Sequence, residues 1–376
     1  FPPCYVHYIL TLQVLPSLKN VLEVKASGES AWAKATRVDV EHEDGSTESY
    51  FMKVSKGLHG RESLKGEFES TSAIYAITPE FCPKPIAWGT FESDPDSHFY
   101  ICKFYDFVED ELPAPKAFGS SLAKLHSSHT SPGGQYGFHV VTYNGDLPQD
   151  NSWSESWEAF FLNGFQHVLR IREQRGGKCS ELDDLLPDMF EKVIPRLLRP
   201  LETGGNHIEP SLVHGDLWCG NAAMVDEDTE EGIIYDPSSF WGHNEYELGN
   251  WRPERNKFSR KYFNTYHAHC PKSAPEEDYD DRNALYAMRF NLNAATLFPS
   301  QSTYLNMVIE EMRRLIEKFP NGYEGDQPRV DIQRRQQLNS TSFNVNTYKE
   351  ADGEQPVPHD SNSPMLREVH ASQLAN

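Results

Sequence analysis

Over its first hundred or so residues the chain alternates apolar and polar positions in short runs. Lys34–Glu41 mixes β-branched and polar residues, and Glu48–Ser55 carries Tyr50, Phe51, Met52 and Val54. With the turn residues Glu43-Asp44-Gly45-Ser46 between them, the two runs predict a β-hairpin. The period then changes, because Leu64, Phe68, Ser72 and Tyr75 recur at helical spacing within Arg61–Ile77 and Thr78-Pro79 closes the helix. Trp88–Phe91 and Phe99–Phe104 predict two more strands around the polar turn Glu92–Ser97. After Pro113 and Pro115 the stripes become helical over Lys116–Ser128, Trp153–Arg175 and Glu181–Leu198. Ser211–Val213, Ala222–Val225 and Gly232–Tyr235 predict small inserted strands, and Ser302–Lys318 predicts a last amphipathic helix.

These patterns divide the chain into a β-rich lobe over residues 1–107, with 1–14 left unassigned, a helical lobe over 108–320, and a polar segment 321–376 that reads as a disordered tail. The length of 376 residues suits two lobes at roughly 150 residues each, and no fixed-period repeat points to a solenoid. No apolar run reaches the roughly 18 residues of a membrane span. The first residues, Phe1–Leu18, are interrupted by His7, Gln13 and Pro16 and lack the basic flank of a signal peptide.

Charge adds an exclusion. Lys and Arg number 35 against 56 Asp and Glu, a formal charge of −21, which argues against nucleic acid and anionic membranes as partners. Two acidic runs, Asp226–Glu231 and Glu276–Asp281, read as solvated loops. The six cysteines are dispersed without paired spacing, which fits reduced thiols and a cytoplasmic location. His267, His269 and Cys270 have ligand-type side chains but no second cluster, so zinc is set aside.

The chemistry concentrates in His214-Gly-Asp-Leu-Trp-Cys-Gly-Asn221, followed by Asp236-Pro-Ser-Ser. Asp216 follows one short strand, Asn221 opens the next, and Asp236 ends a third. Two carboxylates and a carboxamide brought to one edge suit Mg²⁺ and phosphoryl transfer, with one carboxylate receiving the proton of the attacking hydroxyl. Lys53, inside an apolar strand, is the candidate cation for phosphates, and Glu67 on the following helix is its candidate partner, with Glu62 and Glu69 as rivals. Lys25-Ala-Ser-Gly-Glu-Ser, with Gly28 as its only glycine, reads as an ordinary turn or as a loop over the phosphates, and main-chain groups of Lys103, Phe104 and Tyr105 as an adenine site. No GxxxxGK[ST] motif is present. Cys219 sits in the same loop as Asp216, where oxidation would interfere.

Together with Tyr-Asp-Pro-Ser-Ser-Phe-Trp-Gly-His-Asn-Glu-Tyr-Glu-Leu, Gly-Glu-Phe-Glu-Ser around Glu67 and Tyr-Gly-Phe-His-Val-Val-Thr-Tyr-Asn-Gly-Asp-Leu-Pro-Gln at 136–149, this segment resembles the fructosamine-3-kinase (ketosamine-3-kinase) family. The resemblance runs from about Leu15 to Phe319 and has the look of a fungal-type member. It implies an α+β, bilobal protein-kinase-like fold of aminoglycoside-phosphotransferase type. It also implies ATP and Mg²⁺ as cofactors, and transfer to the 3-hydroxyl of ketosamines, free or on glycated proteins, as a deglycation repair. Asp216 would be the base, Asn221 and Asp236 the metal ligands, and Lys53 with Glu67 the phosphate pair. Trp218 would stack on the sugar or pack under its loop. His243 would lie at the substrate, and Glu245 belongs to the same family-like motif or anchors the loop to a helix N-terminus. The Gly-Asn-Trp-Arg-Pro-Glu-Arg that follows departs from the family's usual apolar segment and bears on the substrate pocket. A kinase for another amino-alcohol, such as an aminoglycoside or a choline-like compound, and a non-catalytic nucleotide-binding homologue are the alternatives.

Overall fold

Alternation along the third strand decides how the first lobe is layered. In the computed structural model, which describes residues 15, 17–29, 33–108, 111–226, 228 and 231–325, the strands β1 (Leu18–Glu29), β2 (Lys34–His42), β3 (Thr47–Lys56), β4 (Pro85–Phe91) and β5 (Asp94–Lys103) form one antiparallel sheet. Their order is β1-β2-β3-β5-β4. Successive side chains of a strand point to opposite faces. Tyr50, Met52 and Val54 therefore join Val38, Val40, Phe99 and Ile101 in a core on one face. Phe51 and Lys53 go to the other face, where Leu64 and Phe68 of helix α1 (Gly57–Ile77) pack on Trp88, Tyr100 and Cys102.

The predicted hairpin and helix are present, and α1 starts four residues earlier than Arg61, on Gly57 with φ +71°. The expected loop around Gly28 is the end of strand β1, with Gly28 opposite Ala35, which in turn faces Lys53.

The helical lobe is built on aromatic packing. Helix α2 (Pro115–His126) buries Phe118, which stacks on Phe258 at 5.7 Å and lies 6.0 Å from Trp251. Helix α3 (Trp157–Gly176) starts after Ser156, whose Oγ accepts from the Ala159 N–H, and not at Trp153. The single helix expected over Glu181–Leu198 is broken, with a π-turn over Met189–Val193 between Pro187 and Pro195. Four short strands follow in two pairs: β8 (Ser211–Val213) with β11 (Phe240–Gly242), and β9 (Ala222–Asp226) with β10 (Glu231–Ile234). A two-residue hairpin, β6 (Tyr143–Asn144) and β7 (Leu147–Pro148), lies ahead of them in the chain.

Four helices complete the lobe: α4 (Asn244–Gly249), α5 (Arg260–His267), α6 (Tyr279–Leu297) and α7 (Ser302–Lys318). Of these only α7 shows its stripe in the sequence. Helix α6 is buried nearly all round, polar Asn283, Asn291 and Asn293 included, so it lacks the amphipathic stripe by which a surface helix is recognised.

The acidic run Glu276–Asp281 is not simply a solvated loop. Asp278 is buried against Arg196, and Asp281 against Arg314 and Lys318. Half of Asp226–Glu231 falls outside the described residues, as does most of the expected tail. The first tail residues are docked, the Tyr323 hydroxyl lying 2.9 Å from Thr203 Oγ1. No helix among the described residues is long and apolar enough to cross a membrane.

Trp251, 1% exposed, touches Phe118 of α2, Phe258, and Tyr262 and Tyr266 of α5. Trp251→Ala is expected to lower unfolding free energy by about 3–5 kcal/mol. A urea titration checks this, with the midpoint falling and the slope unchanged.

Candidate active site

The loop after β8 is held by its backbone before any of its side chains act. The N–H groups of His214 and Gly215 both donate to the Glu247 carboxylate, the second at 3.1 Å to Oε1. Glu247, on α4, is itself fully buried. His214 Nδ1 accepts the Asp216 N–H at 3.2 Å, so the ring proton sits on Nε2, which donates to the Tyr235 carbonyl at 2.9 Å. Burial pushes this imidazole's pKa down, which keeps it neutral in that tautomer. Gly215 has φ +82°, and a Cβ there would overlap the Ser238 carbonyl oxygen. From the β6–β7 hairpin, Asn144 Nδ2 donates to the Gly215 carbonyl at 3.3 Å and to Ser238 Oγ at 2.8 Å.

Asp216, Asn221 and Asp236 emerge at one edge of these strands. Asn221 Nδ2 donates to the Asp216 carbonyl at 2.9 Å, leaving its own carbonyl oxygen for another partner. Lys53 Nζ lies 2.8 Å and 3.0 Å from the two oxygens of Glu67, and 2.6 Å from Asp236 Oδ1. The rivals of Glu67 are engaged elsewhere, Glu62 with Arg61 and Glu69 with His139. Burial, with two carboxylates close by, pushes Asp216 up to about 8, the Glu247 and Asp236 charges adding to it. Glu67 is likewise pushed up by burial, to about 7, against the pull of Lys53. The two carboxylates hold the Lys53 ammonium above its usual range despite its burial. The site is short of positive charge.

Other residues fall differently. The Lys103 N–H donates to the Lys84 carbonyl at 2.9 Å and the Phe104 N–H to the Ser49 carbonyl at 3.0 Å, so both of these adenine-site donors are spent within the sheet. Beyond them, Phe107 stacks on Tyr235 at 5.0 Å, next to Asp236. Trp218 is 40% exposed, with its indole over Gly220. His243 does not reach a substrate cleft. It is fully buried, bonded to the Tyr286 hydroxyl and Ser273 Oγ, both at 2.8 Å, and burial drives its pKa to about 4. Glu245 is buried as well, paired with Arg282 at 3.0 Å and accepting the Ser273 N–H. Burial pushes the Cys219 thiol up, which disfavours the reactive thiolate. His267 bonds the Tyr279 hydroxyl at 2.7 Å.

Glu247 and Asn144 went unassigned in the sequence. The signal for Glu247 was a second acid between Tyr246 and Leu248, where burial forces a charge to find donors. Asn144 carried none, since asparagine before glycine reads as an ordinary turn.

A sheet lobe with one helix over its lysine face, joined to a helical lobe whose short strands carry Asp216, Asn221 and Asp236, defines a kinase-like phosphotransferase fold. A crystal structure described as that of a fructosamine-3-kinase from Thermobifida fusca superposes with a TM-score of 0.63 at 21% identity, covering 80% of this chain and 95% of that one. An aminoglycoside phosphotransferase solved with AMP-PNP and hygromycin B superposes with a TM-score of 0.56 at 15% identity, over 84% and 98% of the two chains. Residues 28–318 match the family model for fructosamine kinase, and the chain belongs to that family. It is 32% identical to mouse ketosamine-3-kinase over 266 residues, 65% of this chain and 81% of that protein. It is 30% identical to the chloroplastic protein-ribulosamine 3-kinase of Arabidopsis thaliana over 278 residues, 71% of this chain and 77% of the relative.

Because the fold raises the Asp216 pKa from about 4 in an unfolded chain to about 8, the folded protein binds the extra proton between those values and loses stability as pH rises through them. Asp216→Asn cannot ionise. In EDTA, its urea midpoint is expected to match the parent near about pH 4 and to exceed it increasingly up to about pH 8. A gain independent of pH would show that Asp216 ionises normally.

Proposed function

We propose that the protein is an ATP-dependent kinase acting on the 3-hydroxyl of ketosamines, the ribulosamine and fructosamine adducts of glycated protein amines or their free counterparts. The observation that carries this reading is the single cluster of Lys53, Glu67, Asp236 and Asp216 in a chain of the fructosamine kinase family. Asp216, with a pKa poised near the working pH, orients the sugar hydroxyl and takes its proton as the oxygen–phosphorus bond forms and the bond to ADP breaks. Lys53, steered by Glu67, is assigned to the phosphates. Gly28 lies at the end of β1, in the row of Ala35 and Lys53, so its backbone is assigned to the phosphate side of the cleft. The nucleotide base is assigned to the segment that follows Phe104, with Phe107 and Tyr235 as its aromatic neighbours.

Magnesium fits the residues present. Asn221 has a carbonyl oxygen to give, Asp236 is half exposed, and the cluster has more carboxylate than cation. Asn221 and Asp236 would hold the ion, which when bound neutralises phosphate charge. Trp218, exposed beside the base, is assigned to the apolar face of the sugar. An acidic surface is compatible with a cationic amine adduct as substrate and leaves nucleic acid and membranes out of this reading. The described cysteines are free thiols, which supports a cytoplasmic location, although plant relatives are named chloroplastic.

ATP consumption is to be measured with ribuloselysine, fructoselysine, an aminoglycoside and choline. Turnover is expected with the ketosamines, falling about 10²–10⁴-fold in Asp216→Asn. Turnover confined to the free amino-alcohols would reassign the substrate. No turnover together with no thermal shift on adding Mg·ATP would mark a non-catalytic protein.

A further inference from the structure

Residues 252–261 read Arg-Pro-Glu-Arg-Asn-Lys-Phe-Ser-Arg-Lys, five cations and one acid in a chain of formal charge −21. The segment lies against the catalytic loop. The Cys219 thiol, next in the chain to Trp218, is 3.8 Å from the Arg255 carbonyl, and the Lys257 charge acts on that thiol.

Arg252 is neutralised by Asp280 at 2.8 Å. Arg255 is exposed and differs, because no carboxylate of the described residues forms an ion pair with it. Its side chain is nonetheless fixed. Nη2 donates to Oδ1 of buried Asn291 at 2.6 Å, and the guanidinium lies over the Tyr304 ring, 5.2 Å from its centroid. Nη1 is 4.0 Å from Met307 Sδ, a weak acceptor. The remaining donors of the fork have no acceptor among the described residues. An arginine already stacked and bonded in place loses little further freedom on gripping a ligand, and its planar fork matches a carboxylate.

We propose that Arg255 binds a carboxylate carried by the amine-bearing part of the acceptor, and so selects ketosamines that are anionic at the end remote from the sugar. This rests on the ketosamine reading above. With the sugar on Trp218 and its 3-hydroxyl at Asp216, the chain of the amine continues past Cys219 to Arg255. An amino acid glycated through its side-chain amine keeps its α-carboxylate at that far end. The net field of an acidic protein repels an anion, so accepting one takes a local cation, and Lys257 adds to the Arg255 charge.

The test measures kcat and KM of the full chain with fructoselysine and with its α-amide, which has the same size and no carboxylate. The acid is expected to have a KM about fivefold lower, the scale of one well-oriented exposed ion pair. In Arg255→Gln the two KM values are expected to converge, and in Arg260→Gln, which alters an exposed cation of the same segment, to stay apart. Blocked peptides with the fructosylated lysine beside glutamate or beside glutamine separate a side-chain carboxylate from the α-carboxylate, a preference for glutamate lost in Arg255→Gln also supporting the proposal. It is overturned if neither pair is discriminated, if Arg255→Gln raises KM for acid and amide alike, as a purely structural role would, or if Arg260→Gln abolishes the difference equally. Turnover of neither fructoselysine nor its amide, nor of ribuloselysine, overturns the ketosamine reading along with it.

Discussion

The ammonium of Lys53 is shared by a carboxylate from each lobe, Glu67 at 2.8 Å and Asp236 at 2.6 Å. This one joint ties β3 to α1 and both to the end of β10, so the geometry of the cleft depends on it. It also sets the electrostatics. One cation faces Glu67 and Asp236, with Asp216 and Glu247 close enough to act on one another, and the shortage appears as carboxyl groups pushed up to about 7 and about 8. A buried ion pair gains little when solvation is counted, yet removing one partner leaves an uncompensated charge. The cluster is therefore better understood as a poised site than as a source of stability.

Around that joint, rigidity comes from main-chain contacts. Glu247 takes two backbone N–H groups of the loop, His214 fixes the turn to Tyr235, and Asn144 clamps the Gly215 carbonyl. None of these need touch a substrate. They hold Asp216 where burial can raise its pKa, which connects packing to the proton transfer of the proposed reaction. Asn293 of α6 donates to Asn144 at 3.0 Å, so the helical core behind the loop reaches the same clamp.

Elements were legible where each buries one face. The β2–β3 hairpin alternates because successive residues go to faces of unequal burial, and α7 repeats cleanly because one side meets a core and the other meets water. Helix α6 was missed because it has no wet side, α5 because its buried Tyr262 and Tyr266 are too few to make a stripe, and β1 because its register shifts at three places disturb the alternation. His243 was expected near substrate from the family resemblance, whereas its hydrogen bonds, like the Glu245–Arg282 pair beside it, tie it into the core.

The sequence alone determined the order of the chemistry. Asp216, Asn221 and Asp236 lie close along one stretch of short strands, and Lys53 and Glu67 lie on a consecutive strand and helix, so local geometry carries each group to an edge. Tertiary structure decided which groups act on one another. Glu247 reaches Gly215 across 32 residues and Asn144 across 71, while Lys53 meets Asp236 across 183. Neither side-chain period nor residue type encodes such distances. They follow from how two lobes pack, and the partners found in that packing, more than residue identity, separate Asp216, the proposed base, from Glu245, a carboxylate neutralised by Arg282.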